Sequence, residues 1–147
     1  MWAPGRTKAI AVTQFAMLAS AQRKAAAAHG LRGMGEAYVR FALAHRQRFR
    51  LMFGGQLKIA RHPALREIAG KTFEGLSGAL AARVPGAQGA RDASLAAWAL
   101  VHGLAQLLLE DRIASAAREG RSDEQFVREL LATVRFVAGA APAAQSA

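Results

Sequence analysis

Cysteine is absent from this chain of 147 residues. That excludes disulfides and thiol chemistry, and it makes a reducing cytoplasm the expected compartment. Tyrosine occurs once, proline four times, and aromatic residues make up only 7% of the chain. No segment alternates apolar and polar residues between hairpin turns, so strands are not expected. Acids are scarce, 10 Asp and Glu against 20 Lys and Arg, for a net charge of +10. The basic N-terminal residues Arg6 and Lys8 are followed by no compact apolar run with a cleavage site, so a secretory signal is not expected.

Alanine supplies about a quarter of the chain, with much Leu and Arg. These are strong helix formers, and the expected class is all-α: one helical domain of about five main helices. A first helix over 6–28 ends at His29-Gly30, a glycine stop. A second over 31–53 carries Tyr38, Phe41, His45, Phe49 and Met52 at helical spacing. Gly54-Gly55 breaks it, and a short helix over 56–60 follows. Pro63 opens a third main helix that runs to about Val84, with Leu65, Ile68, Thr72, Leu76 and Leu80 in phase and Phe73 beside them.

The fourth begins near Asp92. Between Asp92 and Glu110 lie 17 uncharged residues, 93–109, including Trp98, His102 and Gly103. The run is shorter than the roughly 20 residues of a membrane span. It holds His102 and Gln106 near its middle, so a core helix and no membrane partner are expected. A helix apolar on so many sides needs cover on more than one of them. Ser122-Asp123-Glu124-Gln125 has the capping-box pattern that opens a last helix, 123–138. The residues from 139 onward lack large apolar side chains, and a disordered tail is expected there.

Signals for catalysis are missing. There is no G-x-S-x-G, no P-loop, and no strand before the glycines of Gly30-Leu31-Arg32-Gly33-Met34-Gly35. His29, His45, His62 and His102 have no His or carboxylate three or four residues on, so no metal site is expected. Neither an enzyme nor a cofactor is expected. Arg40, Arg46, Arg48, Arg50, Lys58 and Arg61 lie between Glu36 and Glu67 with no acid among them. The first reading of this run is a solvated basic face; the alternative is a face that binds nucleic acid or an anionic surface without sequence preference.

Three motifs, in order, are familiar. Tyr38-x-x-Phe41-Ala42-x-x-His45 followed by Phe49-Arg50-Leu51-Met52-Phe53, then His62-Pro63, then Trp98-x-x-x-His102-Gly103 resemble the regulatory half of TetR-family transcription factors, with the last motif similar to the WHG-type C-terminal domain. The likeness spans about residues 10–138. It implies a ligand-binding and dimerisation domain, a homodimer, and a four-helix bundle built from the last two long helices of each subunit. On that reading an apolar small-molecule effector binds among Phe15, Leu18, Tyr38, Phe41, His45, Phe49, Phe53, Phe73, Trp98 and His102. His45 and His102 are then either polar anchors of that pocket or core histidines hydrogen-bonded to a backbone carbonyl or to Tyr38. The expected partner-facing residues are Ala97, Val101, Leu104 and Leu108, with Phe126, Leu130, Val134 and Val137 on the last helix. Leu95, Trp98, His102, Ala105 and Leu109 form the other stripe, and which stripe faces which way is left open. The family reads DNA with an N-terminal helix-turn-helix head, for which the residues before Arg6 offer no room. DNA control is therefore expected only through a head outside this chain.

Overall fold

The computed structural model describes residues 4–55 and 57–135. Those residues form six α-helices and one 3-10 turn, with no strands among them: α1 (Pro4–Ala44), α2 (Arg46–Phe53), the turn Ile59–Arg61, α3 (Pro63–Ala81), α4 (Ala87–Leu109), α5 (Ser115–Arg118) and α6 (Asp123–Ala132). The expected all-α class is the observed one.

α1 is two limbs, 4–29 and 31–44, joined by a single residue. Gly30 sits at φ 62 and ψ −150, a conformation open essentially to glycine alone. The limbs cross so closely that a Cβ at Gly33 would stand 2.5 Å from the carbonyl oxygen of Ala25. The glycine stop read from the sequence is thus a sharp bend without a loop.

Several boundaries differ from expectation, among them the start of α4, at Ala87 rather than near Asp92. The helix expected over 31–53 is interrupted at His45, whose φ of −127 and ψ of 50 lie outside the helical region. Of the short helix expected over 56–60, the described residues 57–60 form no α-helix; the 3-10 turn starts at Ile59. α4 ends at Leu109 because Asp111 takes a left-handed φ of 53 and the Arg112 N–H turns back to the Leu107 carbonyl. α6 opens with the predicted capping box, Ser122 and Gln125 each bonding the other's backbone. It stops at Ala132, where the Thr133 hydroxyl donates to the Leu130 carbonyl at 2.7 Å and competes with the helical ladder. Val137 and the expected tail lie outside the described residues.

The core lies where both limbs of α1 pack on α3 and α4, with α2 and α6 closing its sides. Phe49, Leu18, Met52, Leu65 and Leu80 are among its most deeply buried side chains. α6 is pinned by Phe126, whose ring lies beneath the Arg118 and Arg121 guanidinium groups at 5.9 and 5.1 Å. Arg118 also pairs with Asp123, and Arg121 with Glu129 at 2.8 Å.

α4 presents a row to the core that the sequence assigned to a partner. Ala97, Val101, Leu104 and Leu108 are buried in their own domain, as is Phe126 on α6, which corrects their expected placement in a dimer seam. Of the other stripe, Ala105 and Leu109 are buried too, and Trp98 and His102 are half-buried. A third row stays open: Ala96, Ala99 and Leu107 are exposed, with Gly103 half-buried among them. Leu95 and Leu107 are 55% and 47% exposed. At 23 residues, with a mean hydropathy of 1.3 over its most apolar window, α4 is long and apolar enough to cross a membrane. The argument from a short uncharged run therefore does not hold. Its inward row, packed on α1 and α3, is what makes it a core helix.

Candidate functional site: an apolar cavity

Between the two limbs of α1, α3 and α4 lies a cavity of about 690 Å³. This is within the ordinary range for small-molecule sites. Helical phase aims its lining. Phe15, Leu18 and Gln22 recur along the first limb, Gly35 and Tyr38 along the second, and Ala69, Thr72, Phe73 and Leu76 along α3. Phe53 closes it from the end of α2, and Ala97, Trp98 and Val101 from α4. Leu95 also lines it, and its high exposure shows that the cavity reaches the surface there.

One end is a nest of rings. Phe53 stands 5.4 Å from Phe15 edge-on, 4.8 Å from Phe49 and 5.0 Å from His102. Trp98 and His102, one turn apart, lie 5.2 Å centre to centre. Offset and edge-on pairs like these are each worth about 0.5–1.5 kcal/mol beyond their burial. The cluster holds the aromatic wall rigid.

Tyr38 brings polarity into this nest. Its hydroxyl is 2.9 Å from Nδ1 of His102. Burial pushes the phenol well above its ordinary pKa, with the Trp98 indole acting weakly the other way. Burial also lowers the pKa of His102. The imidazole is therefore neutral near pH 7, and in the tautomer that carries its proton on Nε2 the Nδ1 accepts from the Tyr38 hydroxyl. Gln106 lies at 3.5 Å from Nε2 on the far side of the ring, a long contact.

The expected ligand residues divide into two groups. Phe15, Leu18, Tyr38, Phe53, Phe73 and Trp98 line the cavity. Phe41, Phe49, His45 and His102 do not. Phe41 and Phe49 are core residues, with Phe49 wedged between Tyr38 and Phe53. His45 stacks on Phe41 at 4.9 Å, away from the cavity. His102 stands behind Tyr38, Phe53 and Trp98, which line it. The sequence reading missed Gln22, Met34, Leu76 and Leu100; Gln22 and Leu76 already stood in phase with residues it had chosen.

The basic run is exposed at Arg46, Arg48 and Arg50. Arg40 does meet an acid, since Glu124 of α6 comes within 3.3 Å of it. No group of three potential metal-ligating side chains gathers among the described residues.

Residues 31–142 match the family model for the tetracyclin repressor-like C-terminal domain. Among solved structures the chain is similar to a protein of unknown function from Rhodococcus sp. RHA1. The TM-score is 0.72 at 23% identity, over 86% of this chain and 68% of that one. That likeness speaks for the fold. No curated protein matches the chain.

Proposed function

This chain belongs to the tetracyclin repressor-like C-terminal domain family, and from that premise we propose that it is the ligand-sensing and dimerisation part of a transcriptional regulator. A small apolar molecule occupies the cavity. The helices around it shift, and the two-subunit assembly changes how a helix-turn-helix head outside this chain engages DNA. The observation that carries this reading is the cavity itself, about 690 Å³ walled by Phe15, Tyr38, Phe53, Phe73 and Trp98. Binding acts as a shift of population between two arrangements, by as much as the ligand prefers one of them.

The second subunit covers the open row of α4, Ala96, Ala99, Gly103 and Leu107. Small residues there allow two α4 helices to approach closely, and a twofold axis pairs the row with itself. Leu130 of α6 and Val134 just beyond it are half-buried, and Val134 also lines the cavity. The domain performs no catalysis on this reading.

Titration with the neutral fluorescent probe N-phenyl-1-naphthylamine tests it. Saturable binding near one probe per chain is expected, and Ala69→Trp, which fills the cavity from α3, abolishes it. A probe that never saturates, or that binds the filled variant equally well, overturns the proposal.

A further inference from the structure

The charge-bearing side chains around the cavity are all basic. Arg32, Arg83 and Arg135 line it together with His29, yet no Asp or Glu does among the described residues. They are also unevenly placed. Along the first limb of α1 the lining runs Phe15, Leu18, Gln22, His29, from aromatic to basic, over a length of about 21 Å at 1.5 Å per residue. The second limb repeats the gradient as it leaves Gly30, with Arg32 near the bend and Tyr38 two turns further on.

Two groups at the basic side want a partner. Gln22 is only 9% exposed, and its amide oxygen is buried with no hydrogen-bond partner. A buried amide left unsatisfied costs about 1–3 kcal/mol. Arg83, beside Gly30, pairs with no carboxylate among the described residues, while Arg32 has only a long 3.6 Å contact with Glu36. Arg135, by contrast, already donates to the backbone carbonyls of Ala132 and Val134.

We propose that the cavity takes an elongated amphipathic carboxylate. Its apolar body lies against Phe15, Phe53 and Trp98, and its acid group sits between Gln22 and the guanidinium groups of Arg83 and Arg32. Turned over, the Gln22 amide presents N–H to the acid, since its oxygen and nitrogen occupy interchangeable positions. The two arginines supply charge-assisted bonds, and no acid lines the cavity to compete, Glu36 reaching Arg32 only by its long 3.6 Å contact. This inference rests on reading the cavity as the ligand site and names the ligand's chemistry.

Calorimetric titration of the full chain at pH 7.5 with dodecanoate, 1-dodecanol and dodecylamine tests it. Dodecanoate binds about tenfold more tightly than dodecanol, the worth of a charge-assisted hydrogen bond, and dodecylamine binds weakest. The double variant Arg32→Gln with Arg83→Gln removes the preference for the acid and leaves dodecanol affinity unchanged. Gln22→Leu weakens dodecanoate severalfold. Arg48→Gln, which removes one charge away from the cavity, changes nothing and so excludes general attraction by the basic chain. Equal binding of dodecanoate and dodecanol overturns this inference while leaving the ligand-sensing proposal intact. A preference that survives the double variant, or a Gln22→Leu protein that binds dodecanoate as before, overturns the placement of the acid. Failure of all three probes and of the neutral dye to bind overturns both readings.

Discussion

The Tyr38 hydroxyl and Nδ1 of His102 face each other at 2.9 Å across the packed interface of α1 and α4. They are 64 residues apart in sequence and form a long-range polar link between those helices at the aromatic end of the cavity. Tyr38→Phe keeps the ring and its packing but leaves the imidazole nitrogen without its donor. A loss of about 1–2 kcal/mol is expected, read as a lower urea midpoint at unchanged slope.

The same link makes stability depend on pH. His102 has its pKa lowered by burial, so the folded state binds its proton less readily than the unfolded state does. Between the two pKa values the unfolded chain holds more protons, and stability falls as pH drops through that window, below about 6.5. Protonation also converts Nδ1 from acceptor to donor, opposing the Tyr38 hydroxyl. The melting temperature is expected to decline from pH 7 to pH 5. In His102→Gln that decline is shallower, and an equal slope in both proteins would count against the assignment.

Phe49 and Phe73 offer a contrast between core and wall. Phe49 is fully buried, and Phe49→Ala is expected to cost about 3–5 kcal/mol. Phe73 is half-buried and lines the cavity. Phe73→Ala costs less stability and instead widens the site, so it changes the affinity of N-phenyl-1-naphthylamine more than it changes the melting temperature. Chemical denaturation and dye titration on the two variants separate these effects.

Leu107 tests the proposed seam. It is 47% exposed on the open row of α4, so Leu107→Glu disturbs nothing inside its own domain. The variant is expected to keep its helical circular dichroism while its mass by light scattering falls to that of one chain. A full-mass assembly would place the seam elsewhere.

Much of the fold is legible in the sequence because helix signals are local. The capping box at Ser122, Pro63 at the start of α3 and the stop at Gly30 each act through their own neighbours. The break at His45 is not legible, since Phe41, His45 and Phe49 stay in helical phase and no glycine or proline marks the site. On α4 the helical period yields several rows, but when nearly every residue is uncharged the rows look alike. Only packing against α1 and α3 singles out Ala97, Val101, Leu104 and Leu108 as the inward one. The cavity is legible by half for a related reason. Aromatic residues in phase announce a shared interior, but whether Phe49 fills space and Phe53 borders it depends on how the limbs of α1 cross.

That crossing turns the first limb into a lever. With Gly30 as its pivot, residues 4–29 form a rigid rod about 39 Å long at 1.5 Å per residue. Phe15, Leu18 and Gln22 of the rod touch whatever fills the cavity. A swing of about 5° at the pivot, small enough to be absorbed by one glycine, carries the far tip of a rod of that length about 3 Å. On the proposed reading, a modest adjustment around a bound molecule is magnified at the N-terminal end of α1.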